Sequence, residues 1–591
     1  MIAPTSAQQG TRLEGFVLDQ DGRPVVGAEV ILWRRGSALE RGATDAEGRF
    51  TLVAAPPGLA GASVAVEASG FGRTALNLDD TRAGELLRFV LVPSRVAEEL
   101  TVTATRAEAR LDETAASVAV VSAAVLHGTA ALTLDDALRQ VPGFQLFRRA
   151  GSRTANPTAQ GVSLRGVGAS GASRALVLFD GVPLNDPFGG WVQWGRVPRL
   201  AVGRVEVLRG GASGLYGSAA LGGIVNVEPR PVSSSPTLSL EISYGNQQTP
   251  NVSLYASGRA GKWGASLAAE ATHTDGYVLV AERERGPVDT PAGARDASLL
   301  LTLERRFAPE SRAFLRGAWF AESRRNGTPL QTNRTRLRQL SAGGEWSRAR
   351  FGSFSARAYA GTQSYEQVFT AVSAERNSET LTRRQRVPAQ SAGLSAQWSR
   401  PAGGRHTLVA GLDVRAVRGA SDEVAFAAGR PASLVDAGGR ELSAGFFVED
   451  IFAVTSRLTV TTVARFDRWR NYDARQTTRP LSQAGAASVN TFPARSESAF
   501  SPQASALFRV SERIALHASG YRAFRAPTLN ELYRSFRVGD VLTLANEDLR
   551  AERLTGGEAG AGLNFFDRAV RVRGTFFWSE ITRPIANVTL R

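Results

Sequence analysis

From residue 232 to its last residue the chain repeats one pattern, short segments of alternating polarity separated by breaks. Thr237–Tyr244, Val252–Ala260, Trp263–Thr272, Ala297–Phe307, Ala313–Ala321 and Arg338–Trp346 open the series. Within 500–510 one face reads Phe500, Pro502, Ala504, Ala506, Phe508 and Val510, and the other Ser501, Gln503, Ser505, Leu507 and Arg509. Leu458, Val460, Ala464 and Phe466 stand in the same way against Thr459, Thr461, Arg465 and Asp467. Successive side chains of a strand point to opposite faces, so each segment has one apolar and one polar face. A soluble antiparallel sheet shares that pattern. The number of such segments, with no helices between them and no second apolar face to pack against, favours an antiparallel transmembrane β-barrel. No window offers about 18 consecutive apolar residues, which excludes a helical span. Aromatics near segment ends (Trp319, Phe320, Trp346, Trp398, Trp469, Tyr472) suit interfacial girdles.

Residues 160–230 differ in texture. Short β-branched runs, Ala175–Phe179, Val205–Leu208 and Ile224–Val227, alternate with glycine turns, the mark of a compact sheet with tight loops. Upstream, Leu132–Gln140 has helical spacing of Leu134 and Leu138, with Thr133 as N-cap and Asp135 and Asp136 in the first turn, and Val141-Pro142-Gly143-Phe144 ends it. Gly166-Val167-Gly168-Ala169-Ser170-Gly171 matches a dinucleotide-binding pattern, but the next segment, Arg174–Phe179, is apolar and β-prone where that motif requires a helix.

At 591 residues several domains are expected. Residues 11–93 hold short strands with turns at Asp21-Gly22 and Glu47-Gly48, the pattern of a small β-sandwich. Asp19-x-Asp21-Gly22 lacks the further carboxylates of a calcium loop and reads as a hairpin turn. The formal charge of +15 rests on arginine, with Lys262 the single lysine, and the arginines are spread over the strands instead of forming a nucleic-acid patch. Arginine at strand ends suits an anionic lipopolysaccharide surface. There is no cysteine, and the four histidines (His127, His273, His406, His517) have no neighbour at metal-ligand spacing. No catalytic constellation, cofactor site or metal site emerges, so the chain is not expected to be an enzyme. Met1–Gly10 shows neither the charged nor the apolar region of a signal peptide and reads as an N-terminal remnant.

The segments Ser163-Leu164-Arg165-Gly166, Leu178-Phe179-Asp180-Gly181-Val182-Pro183-Leu184-Asn185 and Val205-Glu206-Val207-Leu208-Arg209-Gly210, continuing through Tyr216-Gly217 to Gly222–Asn226, resemble the plug of TonB-dependent outer-membrane receptors. Tyr521–Tyr533 resembles the barrel signature of the same family, and Asn546–Glu552 its N-P-x-L-x-P-E segment with both prolines replaced. Residues 11–93 resemble the carboxypeptidase regulatory-like domain, of carbohydrate-binding-like fold. The resemblance implies a mainly β chain: sandwich at 11–93, linker at 94–106, α+β plug at 107–231 and barrel at 232–591. Roughly 15 or 16 alternating segments stand where plugged transporters use about 22 strands, which leads to the expectation of an incomplete barrel in a C-terminally truncated chain.

Glu99-Leu100-Thr101-Val102-Thr103-Ala104 reads alone as an ordinary strand; before a plug it resembles the TonB box, a β-prone segment that adds to a partner's sheet edge. The resemblance implies a monomer in the outer membrane of a Gram-negative bacterium, among lipid and lipopolysaccharide. It further implies uptake of a ferric siderophore, cobalamin or oligosaccharide, driven by TonB with ExbB–ExbD; a surface receptor that binds or signals without transport is the alternative. Arg148, Arg149, Arg153, Phe188, Trp191 and Trp194 are the candidate ligand contacts, with plug–barrel packing the competing reading for the two tryptophans. Arg165, Glu206 and Arg209 are expected to tie plug to barrel as buried ion pairs.

Overall fold

The computed structural model describes residues 11–588 except 20–21, 35–36, 55–61, 69–70, 72–73, 79–85, 92–99, 102, 107–108, 112–113, 149, 169, 309–310, 349, 483–485, 512, 539–540 and 567–569. The N-terminal unit has two sheets. One runs Arg49–Ala54, Thr11–Asp19, Leu87–Leu91, and the other Ser37–Ala43, Glu29–Arg34, Ala62–Glu67, Thr74–Asn77. Alternate residues of both, including Val17, Leu32, Leu52, Val64 and Phe89, enclose one apolar core. Asp19 closes its turn by accepting from the Arg23 amide at 2.8 Å, the work of a hairpin residue.

The second unit begins at Leu100. Its first part is a five-stranded sheet in the order Ser117–Ser122, Val202–Arg209, Gly223–Pro229, Leu176–Phe179, Val182–Pro183. The runs Val205–Leu208 and Ile224–Val227 pair antiparallel, and Leu176–Phe179 lies parallel to the latter. Asp180 (φ 48°) and Gly181 (φ 77°) turn the chain between Leu176–Phe179 and Val182–Pro183, the two left-handed residues that a tight hairpin with matching twist needs. The expected helix is shorter than its spacing suggested. Leu134–Ala137 is α-helical and Leu138–Gln140 is a 3₁₀ turn, and Thr133 makes no capping bond to the backbone; its hydroxyl donates to Asp136 instead.

The remainder is a 16-stranded antiparallel sheet from Thr237–Gly245 to Val570–Thr582, in chain order, with Ser488–Phe492 added beside Leu458–Pro480. Among the described residues no ladder joins the first strand to the last. Its polarity is inside out. Phe500 is 58% exposed while Ser501 is 1% exposed, and Phe466 is 53% exposed between Arg465 at 3% and Asp467 at 7%. A soluble sheet would bury the apolar face, so this distribution selects the membrane reading of the alternation. Trp319 and Trp346 lie on the outer face as girdle residues should, whereas Phe320 and Trp469 are buried; Trp469 stacks on Phe524 at 5.2 Å.

The two ends of the sheet differ. Strands meet in tight turns at one end, between Ala260 and Trp263, Ala308 and Ser311, Arg348 and Gly352, Ala402 and His406, and Ala453 and Leu458. The long connections 278–291, 481–494 and 526–551 all lie at the other.

Candidate functional site

Residues 100, 101 and 103–106 lie at the short-turn end. Leu100–Thr101 pairs antiparallel with Ala109–Arg110. Thr101 and Thr103 are fully buried, and both donate to one carboxylate: the Thr101 hydroxyl reaches Glu206 Oε2 at 2.8 Å and the Thr103 amide at 2.9 Å. Asn226 Nδ2 donates to the Thr103 hydroxyl at 3.2 Å. Arg106 then fastens the segment to the wall. Its guanidinium sits 4.2 Å over the Tyr216 ring and 4.8 Å over Phe447, 3.5 Å from Asp413, and its carbonyl accepts from Gln397 Nε2 at 2.6 Å. Gln397 is near the Ala402/His406 turn, which fixes the end. Glu99 and Val102 are outside the described residues.

Glu206 therefore requires a correction. The sequence points it at the barrel, but its carboxylate grips the 101–103 segment and pairs with Arg204 at 3.1 Å. It sits mid-strand in Val202–Arg209 with its side chain directed at the docked segment, so the nearest donors are threonines.

The plug–barrel ties are made by other residues. Arg165 pairs with Glu558 of the strand Glu552–Phe565. Arg209 donates to the Pro142 carbonyl at 3.3 Å, so its described bond stays within the plug, with Glu558 in electrostatic reach. Arg174 donates to Glu552 through Nε at 3.1 Å and Nη2 at 2.7 Å, and Arg525 closes on the other oxygen at 2.5 Å. Asp180 bonds Arg316 at 2.5 Å and Arg357 at 3.3 Å. Burial opposes the Asp180 charge, yet Arg357 and Arg316 outweigh it and hold the carboxyl below the usual aspartate range. Sequence reasoning missed Arg174, Asp180, Glu552 and Arg525. An Asp-Gly pair between apolar runs signals the Asp180 turn; nothing local signals partners more than a hundred residues away.

The candidate ligand residues separate. Phe188 and Trp191 face the long-loop end but are buried against Tyr365, Val387 and Val417 of the wall and Tyr533 of the 526–551 connection; Trp191 meets Tyr365 at 5.6 Å between ring centres. Trp194 packs inside the plug, edge-on to Phe144 at 6.3 Å. The Asp186 carboxylate, accepting from the Phe188 and Gly189 amides at 2.9 and 2.7 Å, shapes the loop that turns these rings inward. Packing describes all three aromatics. Arg148 has no exposed side-chain surface and pairs with Asp135 and, at 2.5 Å, with Asp136, which makes it an internal brace of the plug. Burial pushes the Asp135 carboxyl above its usual range against the pull of Arg148. Arg149 is outside the described residues. Among the described residues Arg153 Nη1 and Nη2 are buried and have no hydrogen-bond partner, with Asp296 and Glu270 in electrostatic reach.

Within the glycine run at 166–171, Val167 and Gly168 turn their carbonyls toward a side-chain cation. Arg174 Nη1 donates to the Val167 oxygen at 3.4 Å and the Gly168 oxygen at 3.2 Å, so these two residues hold an internal cation, whereas a phosphate cradle presents N–H groups. Among the described residues no group of three or more His, Cys, Asp or Glu is placed to hold a metal ion.

Three family models match the chain: the TonB dependent receptor-like β-barrel over 282–591, the TonB-dependent receptor plug domain over 110–224 and the carboxypeptidase regulatory-like domain over 12–115. Among curated proteins, the vitamin B12 transporter BtuB of Vibrio vulnificus (strain YJ016) is 28% identical over 181 residues, and that of Vibrio cholerae (strain ATCC 39541) is 30% identical over 182. Each alignment covers 30% of this chain and 28% of the relative. Solved structures of similar fold include the ferric yersiniabactin uptake receptor FyuA from Yersinia pestis, with TM-score 0.62 and 17% identity, covering 79% of this chain and 72% of that one. The ferric-catecholate import receptor Fiu from E. coli K12 gives TM-score 0.62 at 15% identity, covering 82% and 76%.

Proposed function

This chain belongs to the TonB-dependent receptor family, and on that premise we propose that it takes up a scarce small ligand across the outer membrane of a Gram-negative bacterium. In this reading the short-turn end faces the periplasm and the long-loop end the outside, the usual arrangement of outer-membrane barrels. A ferric siderophore, cobalamin or oligosaccharide enters between the long loops and meets the plug from above, with Arg153 as the contact that still has donors to offer. TonB, energised by ExbB–ExbD, engages 99–104 from below by strand addition, and the receptor works as a monomer.

The observation that carries the proposal is the separation of two features by the plug. Thr101, Thr103 and Arg106 are at the short-turn end, docked through Glu206 and Gln397, while the 186–191 loop is at the long-loop end against Tyr365 and Val417. A binding event on one side and a pull on the other can then be joined only through the plug.

The test is uptake of radiolabelled ferric chelates, cobalamin and oligosaccharides by cells with and without TonB, alongside Leu100→Pro, which removes an N–H and fixes φ in the strand-adding segment. Uptake that requires TonB and is abolished by Leu100→Pro supports the proposal. Binding without TonB-dependent uptake assigns the chain to the non-transporting receptors.

A further inference from the structure

On the lipid-facing wall, seven neighbouring strands place Trp319, Arg338, Thr362, Gln390, Arg418, Arg440 and Tyr472 in one continuous register row. Arg418 and Arg440 stand directly opposite each other. Like charges facing across a ladder destabilise it, because the two side chains share one small volume. Among the described residues Arg440 has one carboxylate, exposed Asp473 at 3.4 Å, and Arg418 has none within ion-pair distance. Arg418 and Arg440 lie nearer the long-loop ends of their strands, Ala427 and Arg430, than the short-turn ends, His406 and Ala453, and Tyr472 beside Arg440 supplies the amphipathic ring of an interfacial level.

The adjoining row, one step deeper into the apolar band, is Leu340, Ala360, Ala392, Ala416 and Leu442. Three consecutive alanines between leucines leave a trough, and with the arginine row above it the concavity has a volume of about 980 Å³. Its mouth opens on the outer face, where Leu299, Leu301 and Leu340 are 41%, 53% and 55% exposed. An apolar trough headed by two facing guanidiniums has the chemistry of a hydrocarbon chain carrying a phosphate: the chain fills the alanine floor, and the phosphate bridges two cations that otherwise repel.

We infer that this face binds a phosphorylated acyl glycolipid of the outer leaflet, its phosphate between Arg418 and Arg440 and an acyl chain along Ala360, Ala392 and Ala416. The inference rests on the outer-membrane reading above but not on transport. A second copy of the chain fits the face less well, since a two-fold contact would set one arginine pair against the other.

Native mass spectrometry of the full chain in detergent tests it, with monophosphoryl lipid A and the same lipid stripped of phosphate as probes. The wild type should retain one phosphorylated lipid in preference by about tenfold, and Arg418→Gln combined with Arg440→Gln should abolish that preference. Ala392→Phe should lower retention of both lipids; if it loses strand content by circular dichroism, Ala360→Leu probes the same trough from the neighbouring strand. Equal retention of the two lipids, retention unchanged in the double variant, or a dimer cross-linked through residue 392 would overturn the inference. The measurement uses neither TonB nor a transported ligand, so it fails or succeeds apart from the uptake test.

Discussion

Glu206 and Thr101 are joined by a 2.8 Å hydrogen bond between two side chains without exposed surface, across 105 residues of sequence. The same carboxylate oxygen receives the Thr103 amide. Glu206→Ala leaves both donors buried and without this acceptor, at about 1–3 kcal/mol each, more than a two-residue ladder returns. The segment should undock. The chain has no cysteine, so Ala104→Cys provides a unique probe at a site now 5% exposed. Its maleimide labelling should be slow with Glu206 present and fast with Glu206→Ala; equal rates would show that the carboxylate does not hold the segment.

Arg174→Ala should loosen the plug by about 3 kcal/mol, the low end for breaking a buried pair, because Glu552 keeps Arg525 at 2.5 Å. Arg174→Gln, which keeps a neutral donor beside Glu552 and leaves the Arg525–Glu552 pair intact, should recover part of that loss. Denaturant titration of plug protease resistance measures both variants.

Acid should weaken the plug's hold at a defined place. The carboxyl of Asp180 is held below the ordinary aspartate value of 3.8 by Arg357 and Arg316, acting against burial. A depressed folded-state value means that its stabilisation is present above 3.8 and is lost as pH falls through the folded value. Protease release of the plug should therefore rise on acidification below 3.8. Asp180→Asn should be less stable at neutral pH and flatter through that window.

Trp191→Ala should cost about 3–5 kcal/mol of plug docking as a large aromatic deletion, because its ring contact with Tyr365 at 5.6 Å is lost. Ligand affinity of the variant that remains folded should be nearly unchanged. Weakened affinity at unaltered thermal stability would return Trp191 to the ligand site.

The architecture was legible because strand alternation and glycine turns are local. The faces of 458–468 and 500–510 follow from the sequence; which face meets lipid emerged only from burial, since alternation has no sign. Partners were illegible for the same reason in reverse. Arg148 and Trp191 look like surface recognition residues in a loop, and only the wall and the helix around them make them a brace and a wedge. Glu206 reads as a charge on a strand, and its threonines lie in a different segment of the chain.

The order of the plug sheet has a mechanical consequence. Among the described residues Ser117–Ser122, the first strand of the five-stranded sheet in chain order, is an edge strand bonded only to Val202–Arg209, with Ser117 opposite Arg209. A load entering from that side meets a single row of rungs and opens them in sequence from one end, so the peak force is that of a rung or two. Interior strands such as Gly223–Pro229 are bonded on both flanks and so are held by two rows of rungs. The module is thus weak along one line and strong elsewhere, and it can yield by a strand without losing its core.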